Sequence, residues 1–154
     1  MKKLAGRGVV LRGRGIIGGI AAGEALVSTQ AFMFPHGIDP KNGVIVDKRH
    51  ELYGQSIAGK VFVFPFGKGS TSAATWILET VRNNAGPAAI INESTEPIIA
   101  TGMILAEIFY DKKIPVVDNL ERNPLKIIKT GDYVKVDGNK GIVEVVAKAF
   151  RERD

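Results

Sequence analysis

Ser70, Thr71 and Ser72 directly follow Gly67-Lys68-Gly69, at the point where an apolar run (Phe62, Val63, Phe64, Phe66) stops. The order is a strand, a glycine turn and a hydroxyl-rich helix start. Free backbone N–H groups and the positive end of a helix dipole converge at such a place, which suits an anion. Two readings of Ser70 stay open from spacing alone. In one, the segment is a tight turn and Ser70 is the helix N-cap. In the other, Ser70 is a base and the Thr71 and Ser72 amides hold an anion. A free serine hydroxyl is a poor base, but several aligned N–H donors could stabilise its alkoxide. The segment is not a Walker A loop, because Lys68 precedes Gly69 instead of following the last glycine. It also lacks the dinucleotide-binding glycine fingerprint.

Other chemistry-bearing residues are sparse. His36 and His50 are the only histidines, too few for a typical zinc site without carboxylates to complete it. Asp47-Lys48-Arg49-His50 follows an apolar stretch and places His50 and Asp47 where they could face a cleft. Glu93-Ser94-Thr95-Glu96 lies where a strand meets a helix, and this pattern fits helix capping with dipole-favourable acids.

The elements that must position these groups follow from pattern. Val9 to Leu11 reads as a strand, Gly13 to Gly19 as a bend or loop, and Glu24 to Ser28 as another strand. Phe34 to Gly43 reads as a loop, and Val44-Ile45-Val46 as a short strand. Val61 to Phe64 is the strand before the glycine turn. Ala73, Trp76, Ile77, Thr80 and Val81 give the following helix one apolar face, and Asn83 to Pro87 ends it. Ala88 to Ile91 is a buried strand. Ser94-Thr95-Glu96-Pro97 starts a helix that runs to about Tyr110. Pro115 to Val117 is the next strand, and two apolar runs around Asp137-Gly138-Asn139-Lys140-Gly141 form a hairpin. A parallel β-α-β-α-β unit with flanking strands that form a barrel or second sheet predicts a compact β/β/α domain.

The chain has 154 residues, which fits a single domain over 1–154 with a real core. Its net charge of +5 is local. Lys2, Lys3, Arg7, Arg12 and Arg14 precede the first acid, Glu24, and the remainder sums to zero. The basic arm has no aromatic residues for base stacking, so no nucleic-acid role is expected. With no cysteine there can be no disulfide, no cysteine nucleophile and no iron–sulfur cluster held by this chain's own thiolates. No apolar run reaches transmembrane length and no signal-peptide core is present, so a cytoplasmic protein is expected.

The order of motifs is more specific than any one of them. GIAAGEALVST, IDPKNGVIVDKRHELYGQSIAGKVFVFPFGKGSTS, NNAGPAAIINESTEPIIATGMILAEIFYDKKIPVVD and the terminal hairpin together resemble the small-subunit, or swivel-domain, family of aconitase X. The resemblance covers nearly the whole chain. It implies a swivelling β/β/α fold and a heterodimer with an aconitase X large subunit that carries a 4Fe-4S cluster. Archaeal members form the small subunit of phosphomevalonate dehydratase. Gly67 to Ser72 also looks like the Gly-x-Gly-Ser-Ser-Arg loop of ordinary aconitase and isopropylmalate isomerase swivel domains. That likeness makes Ser70 the base of a water elimination and Lys68, Gly69, Thr71 and Ser72 substrate-binding residues, with no metal ligand on this chain. The cluster on the partner would polarise the departing hydroxyl, and the chain alone would be inactive. Ser72 stands where the related loop has a substrate-binding arginine, so Lys68, Arg12, Arg14 or the large subunit would have to replace it. The substrate class implied is a phosphorylated hydroxy acid.

Three other readings follow from the same residues. One is another aconitase X hydro-lyase acting on a hydroxyproline or other hydroxy acid. A second rests on TGDYVKVDGNKGIVEV, which resembles the end of a phosphohistidine swivel domain, but no histidine stands at the glycine turn. A third is a non-catalytic anion-binding module.

Overall fold

A computed structural model describes residues 8–146. Lys2, Lys3 and Arg7 of the basic arm lie outside the described residues. The described strands are β1 (Val9–Arg12), β2 (Arg14–Ile17), β3 (Ile20–Val27), β4 (Val61–Phe64), β5 (Ala89–Asn92), β6 (Val116–Asp118), β7 (Tyr133–Asp137) and β8 (Ile142–Val146). The helices are α1 (Ala73–Arg82), α2 (Pro97–Tyr110) and the short α3 (Pro124–Ile127). The strands form one eight-stranded sheet in the order β1-β8-β7-β3-β4-β5-β6-β2. Strands β3 to β6 run parallel to one another, and every other pairing is antiparallel.

The apolar runs VFVF in β4 and AIIN in β5 are buried along their whole length because both faces of the parallel sheet are covered. Side chains alternate with the strand period of two. Phe62, Phe64, Ile90 and Val116 face the helices and pack with Phe32, Phe34, Ile77, Ile99 and Met103. Val61, Val63, Ala89, Ile91 and Val117 face the other way, onto Leu11, Val134, Val136, Val143 and Val145. On α1 the buried Ala73, Ile77 and Val81 recur at a spacing of four, so a single stripe meets the sheet. Pro97 occupies the first turn of α2, where its missing N–H costs nothing, and Asp111 ends the helix in the left-handed conformation.

Two long segments close the architecture. The first half of β3 pairs with β7 and its second half with β4, so β3 passes from the antiparallel part to the parallel part. Strands β1 and β2 stand at opposite ends of the strand order yet are joined by Gly13 alone. The sheet must therefore curl until its ends meet, which forms a barrel, one of the two arrangements expected of the flanking strands. Inside it lies the second apolar cluster.

Three local expectations are corrected. Gly13 to Gly19 is not a simple loop. Arg14–Ile17 forms β2, with an irregular register between Gly15 and Ile17 against β6. Val44–Val46 is not a strand. Ile45 and Val44 make only isolated bridges, to Ile38 and Ser56, inside a long excursion between β3 and β4. Neither Ser94 nor Thr95 caps α2, because the cap position falls on Glu96 and the Thr95 hydroxyl turns back to donate to Asn92. Among the described residues, no helix is long and apolar enough to cross a membrane.

Candidate active site

The glycine loop hangs from the carboxyl end of β4, a position where open parallel sheets place ligands. Its backbone is clamped from both sides. The Phe32 N–H donates to the Phe66 carbonyl at 3.1 Å, and the Lys68 N–H donates to the Phe32 carbonyl at 3.0 Å. The Glu93 and Ser94 N–H groups both donate to the Pro65 carbonyl, at 2.9 and 3.2 Å, tying the loop after β5 to this one. Both glycines are dictated by geometry. A Cβ at Gly67 would lie 2.5 Å from Ile99 Cδ1 in the first turn of α2. Gly69 has φ +113°, and a Cβ there would meet Met33 Cγ at 2.9 Å. Only glycine adopts that backbone without strain.

The helix begins later than its hydroxyls suggest. The cap position of α1 is Ser72, without a side-chain cap bond, so Ser70 is not the N-cap. Ser70 instead lies exposed ahead of the helix. Its Oγ is 2.6 Å from Ser72 Oγ and 3.4 Å from the Ser72 N–H that points at it. Among the described residues, the Thr71 N–H makes no hydrogen bond within the chain. Thr71 and Lys68 are exposed, and Ser72 is half-buried. The loop thus carries Ser70, an unengaged amide and the lysine of the turn, all exposed.

Beside the loop lies a cleft of about 270 Å³ lined by Gln30, Phe32, Met33, Asp47, His50 and Lys68, among others. His50 and Asp47 therefore do face a cleft. His50 is held at both ring nitrogens. Nδ1 accepts from the Leu52 N–H at 3.0 Å, so Nε2 carries the proton and donates to Ser28 Oγ at 3.1 Å. The hydroxyl of the buried Ser28 in turn donates to the Gln30 carbonyl at 2.7 Å. Glu51 accepts the Thr29 N–H and hydroxyl, which completes the network. Burial, aided by the Lys68 charge and opposed by Glu51 and Asp47, holds the His50 ring below its ordinary pKa. His36 lies elsewhere, exposed in a left-handed conformation with its ring edge-on to Trp76.

The neutral His50 ring has a measurable consequence. The unfolded chain takes up this proton at a higher pH than the folded chain. Between the lowered folded value and the ordinary 6.5, the unfolded state binds more protons, so stability rises with pH. The contribution is complete above the ordinary value and is lost as pH falls through the lowered one. Urea unfolding at pH 5 and pH 7 is expected to show a smaller gain for His50→Gln than for the unaltered chain. An equal gain would show that His50 does not carry this dependence.

Two further features of the site were not visible in sequence. Ser28, a strand-end residue, positions His50 across 22 residues of chain. Asp118, at the end of β6, is buried and receives Arg14 in a fork, with Nε to Oδ1 at 2.9 Å and Nη2 to Oδ2 at 3.0 Å. Burial would raise this carboxyl, but the Arg14 bonds and charge and the Thr95 N–H hold it below the ordinary carboxylate range. The one sequence signal was an aspartate closing the apolar run Val116-Val117. As for a metal, among the described residues no three His, Cys, Asp or Glu side chains come together, and the chain has no cysteine. The donor set therefore does not fit an iron–sulfur cluster.

The family model described as the aconitase X swivel domain matches residues 10–145. The phosphomevalonate dehydratase small subunit of Methanosarcina acetivorans is 45% identical over 138 residues, 90% of this chain and 92% of that protein. Its counterpart in Methanocella arvoryzae is 46% identical over 135 residues, 88% of this chain and 98% of that one. Among solved structures, the holo-form of aconitase X from Thermococcus kodakaraensis superposes with a TM-score of 0.81 at 43% identity, covering 90% of this chain and 98% of that one. The curled sheet, the two helices on its parallel half and the glycine loop at the end of β4 are thus the architecture of a known fold, and the chain belongs to the aconitase X swivel domain family.

Proposed function

We propose that this chain is the small subunit of a cytoplasmic hydro-lyase that converts mevalonate 5-phosphate to trans-anhydromevalonate 5-phosphate. The observation that carries the reading is near full-length identity above 40% to proteins named phosphomevalonate dehydratase small subunit. The loop geometry is compatible with it. Ser70 takes a proton from the carbon next to the substrate carboxylate. The electron pair forms the new double bond, and the hydroxyl on the adjacent carbon departs as hydroxide, which becomes water with a proton drawn from solvent. The Thr71 and Ser72 N–H groups stabilise the ionised serine or a developing oxyanion, and Gly69 lets the backbone approach. Lys68, at the mouth of the cleft, attracts the carboxylate.

Help for the departing hydroxyl has to come from the large subunit, where we place the 4Fe-4S cluster, since no donor set here fits it. The chain by itself is then inactive. The test is anaerobic co-expression with an aconitase X large subunit, followed by incubation with mevalonate 5-phosphate. Dehydration by the complex and none by either chain supports the reading. A complex that ignores mevalonate 5-phosphate but dehydrates a hydroxyproline would replace this substrate with the alternative one.

A further inference from the structure

We infer that His50 is a positioning residue for the glycine loop: its uncharged ring holds Phe32, and Phe32 holds the backbone that leads to Lys68 and Ser70. The inference rests on the reading above only in taking this loop as the catalytic one. Phe32 is where the two sides meet. Its ring is buried and lies edge-on to the His50 ring, with centroids 5.5 Å apart and planes at 89°. Its main chain grips the loop twice. The Phe32 N–H donates to the Phe66 carbonyl at 3.1 Å, and the Phe32 carbonyl accepts the Lys68 N–H at 3.0 Å. These bonds make Phe32 and Gly67 an isolated parallel bridge, outside any named strand. A shift of Phe32 therefore passes directly to Lys68, two residues before Ser70.

The same ring fixes the segment that leads to Phe32. Nε2–H donates to Ser28 Oγ at 3.1 Å. That oxygen also accepts the Gln30 N–H at 3.1 Å, so the turn from Ser28 to Gln30 closes on one hydroxyl that His50 holds from outside. Nδ1 accepts the Leu52 N–H at 3.0 Å. Only the uncharged tautomer does both. A proton on Nδ1 would set two donors against each other across this distance and place a second positive charge near Lys68. The ring must then leave its place, and Phe32 loses its wall on that side. The segment from Ser28 to Phe32 has no charged residue to compensate. On the ring's own turn, Asp47 and Glu51 favour the charged form, while burial and Lys68 oppose it. Glu51 is already engaged by the Thr29 N–H and hydroxyl. Arg49, the remaining cation of this turn beside the ring, lines the same cleft.

Hydrogen exchange followed by NMR on the full chain tests this without any substitution. The carbon-bound ring protons report the titration of His50. As pH falls through it, protection of the Lys68 amide, corrected for the intrinsic pH dependence of exchange, is expected to drop about 5- to 10-fold, the size of one lost hydrogen bond. Amides of the β7–β8 hairpin should keep their protection. His50→Asn supplies a second arm. Its side-chain oxygen can still accept the Leu52 N–H two residues on, but it does not titrate and is too short to reach Ser28. In this variant the Lys68 amide should be less protected at pH 7 and show no step with pH. In the assembled enzyme, His50→Asn should lower kcat about tenfold, change KM less, and remove the acidic limb of the pH profile. Steady protection of the Lys68 amide through the His50 titration overturns the inference, as does an acidic limb that persists unchanged in His50→Asn. If the unaltered complex does not dehydrate mevalonate 5-phosphate, the proposed function fails instead, and the exchange measurement still decides the role of His50.

Discussion

Replacing Ser70 by alanine is expected to lower turnover of the assembled enzyme roughly 10²- to 10⁴-fold, the usual worth of a positioned general base. The same variant should fold and assemble normally. Ser70 is exposed, and its hydroxyl touches only Ser72, so the lost bond costs about 1 kcal/mol or less. This separates chemistry from architecture. Circular dichroism and size-exclusion chromatography should match the unaltered complex while product formation collapses. Ser72→Ala is a useful companion. It removes the hydroxyl 2.6 Å from Ser70 Oγ but keeps the Ser72 amide, so a loss of about tenfold is expected. Near-normal turnover by Ser70→Ala would remove Ser70 from the mechanism.

The largest effect on stability is expected at Phe32. Its ring is 1% exposed and lies edge-on to Phe34, Phe62 and His50 at centroid distances of 4.9, 5.0 and 5.5 Å. Its backbone also clamps the glycine loop through Phe66 and Lys68. Phe32→Ala therefore opens a cavity directly beneath the site. The expected cost is about 3–5 kcal/mol, a fall in Tm of roughly 6–20 °C for a chain of this size. Because the clamp is main-chain, the loop should loosen even where the domain stays folded. Activity is then expected to fall at temperatures below the unfolding transition. A Tm within 2 °C of the unaltered chain, measured by calorimetry, would show that the site collapses without cost.

What sequence reading recovered was local. A run of Phe62 to Phe64 before glycines and the pattern from Ala73 to Val81 are self-contained signals, and β4 and α1 form where they point. Pro97 marked the start of α2 because a proline has few other places in a helix. What reading missed was set by distant partners. Arg14–Ile17 looked like a glycine-rich bend. It becomes a strand because β6 offers it an edge, and Gly15 is there because the Gly138 carbonyl would lie 2.0 Å from a Cβ. Val44–Val46 had the residues of a strand but no neighbour to pair with beyond single bridges. At the site, Ser70 and Lys68 could be singled out from the turn that carries them. The Arg14–Asp118 fork joins residues 104 apart, and the Ser28–His50 bond joins residues 22 apart. Nothing in the intervening residues encodes either contact.

The one-residue junction at Gly13 has a consequence for assembly. An open sheet of eight strands would offer two full-length borders, each a template on which a foreign strand could add. Here the same stretch of backbone serves both ends, and each half is only four residues long. Among the described residues, strand addition, a common way for one chain to recruit another, has almost no foothold. The large subunit proposed above would then recognise this domain through side chains on its loops and helices. A specific fit is thereby required where a generic backbone match would otherwise have sufficed.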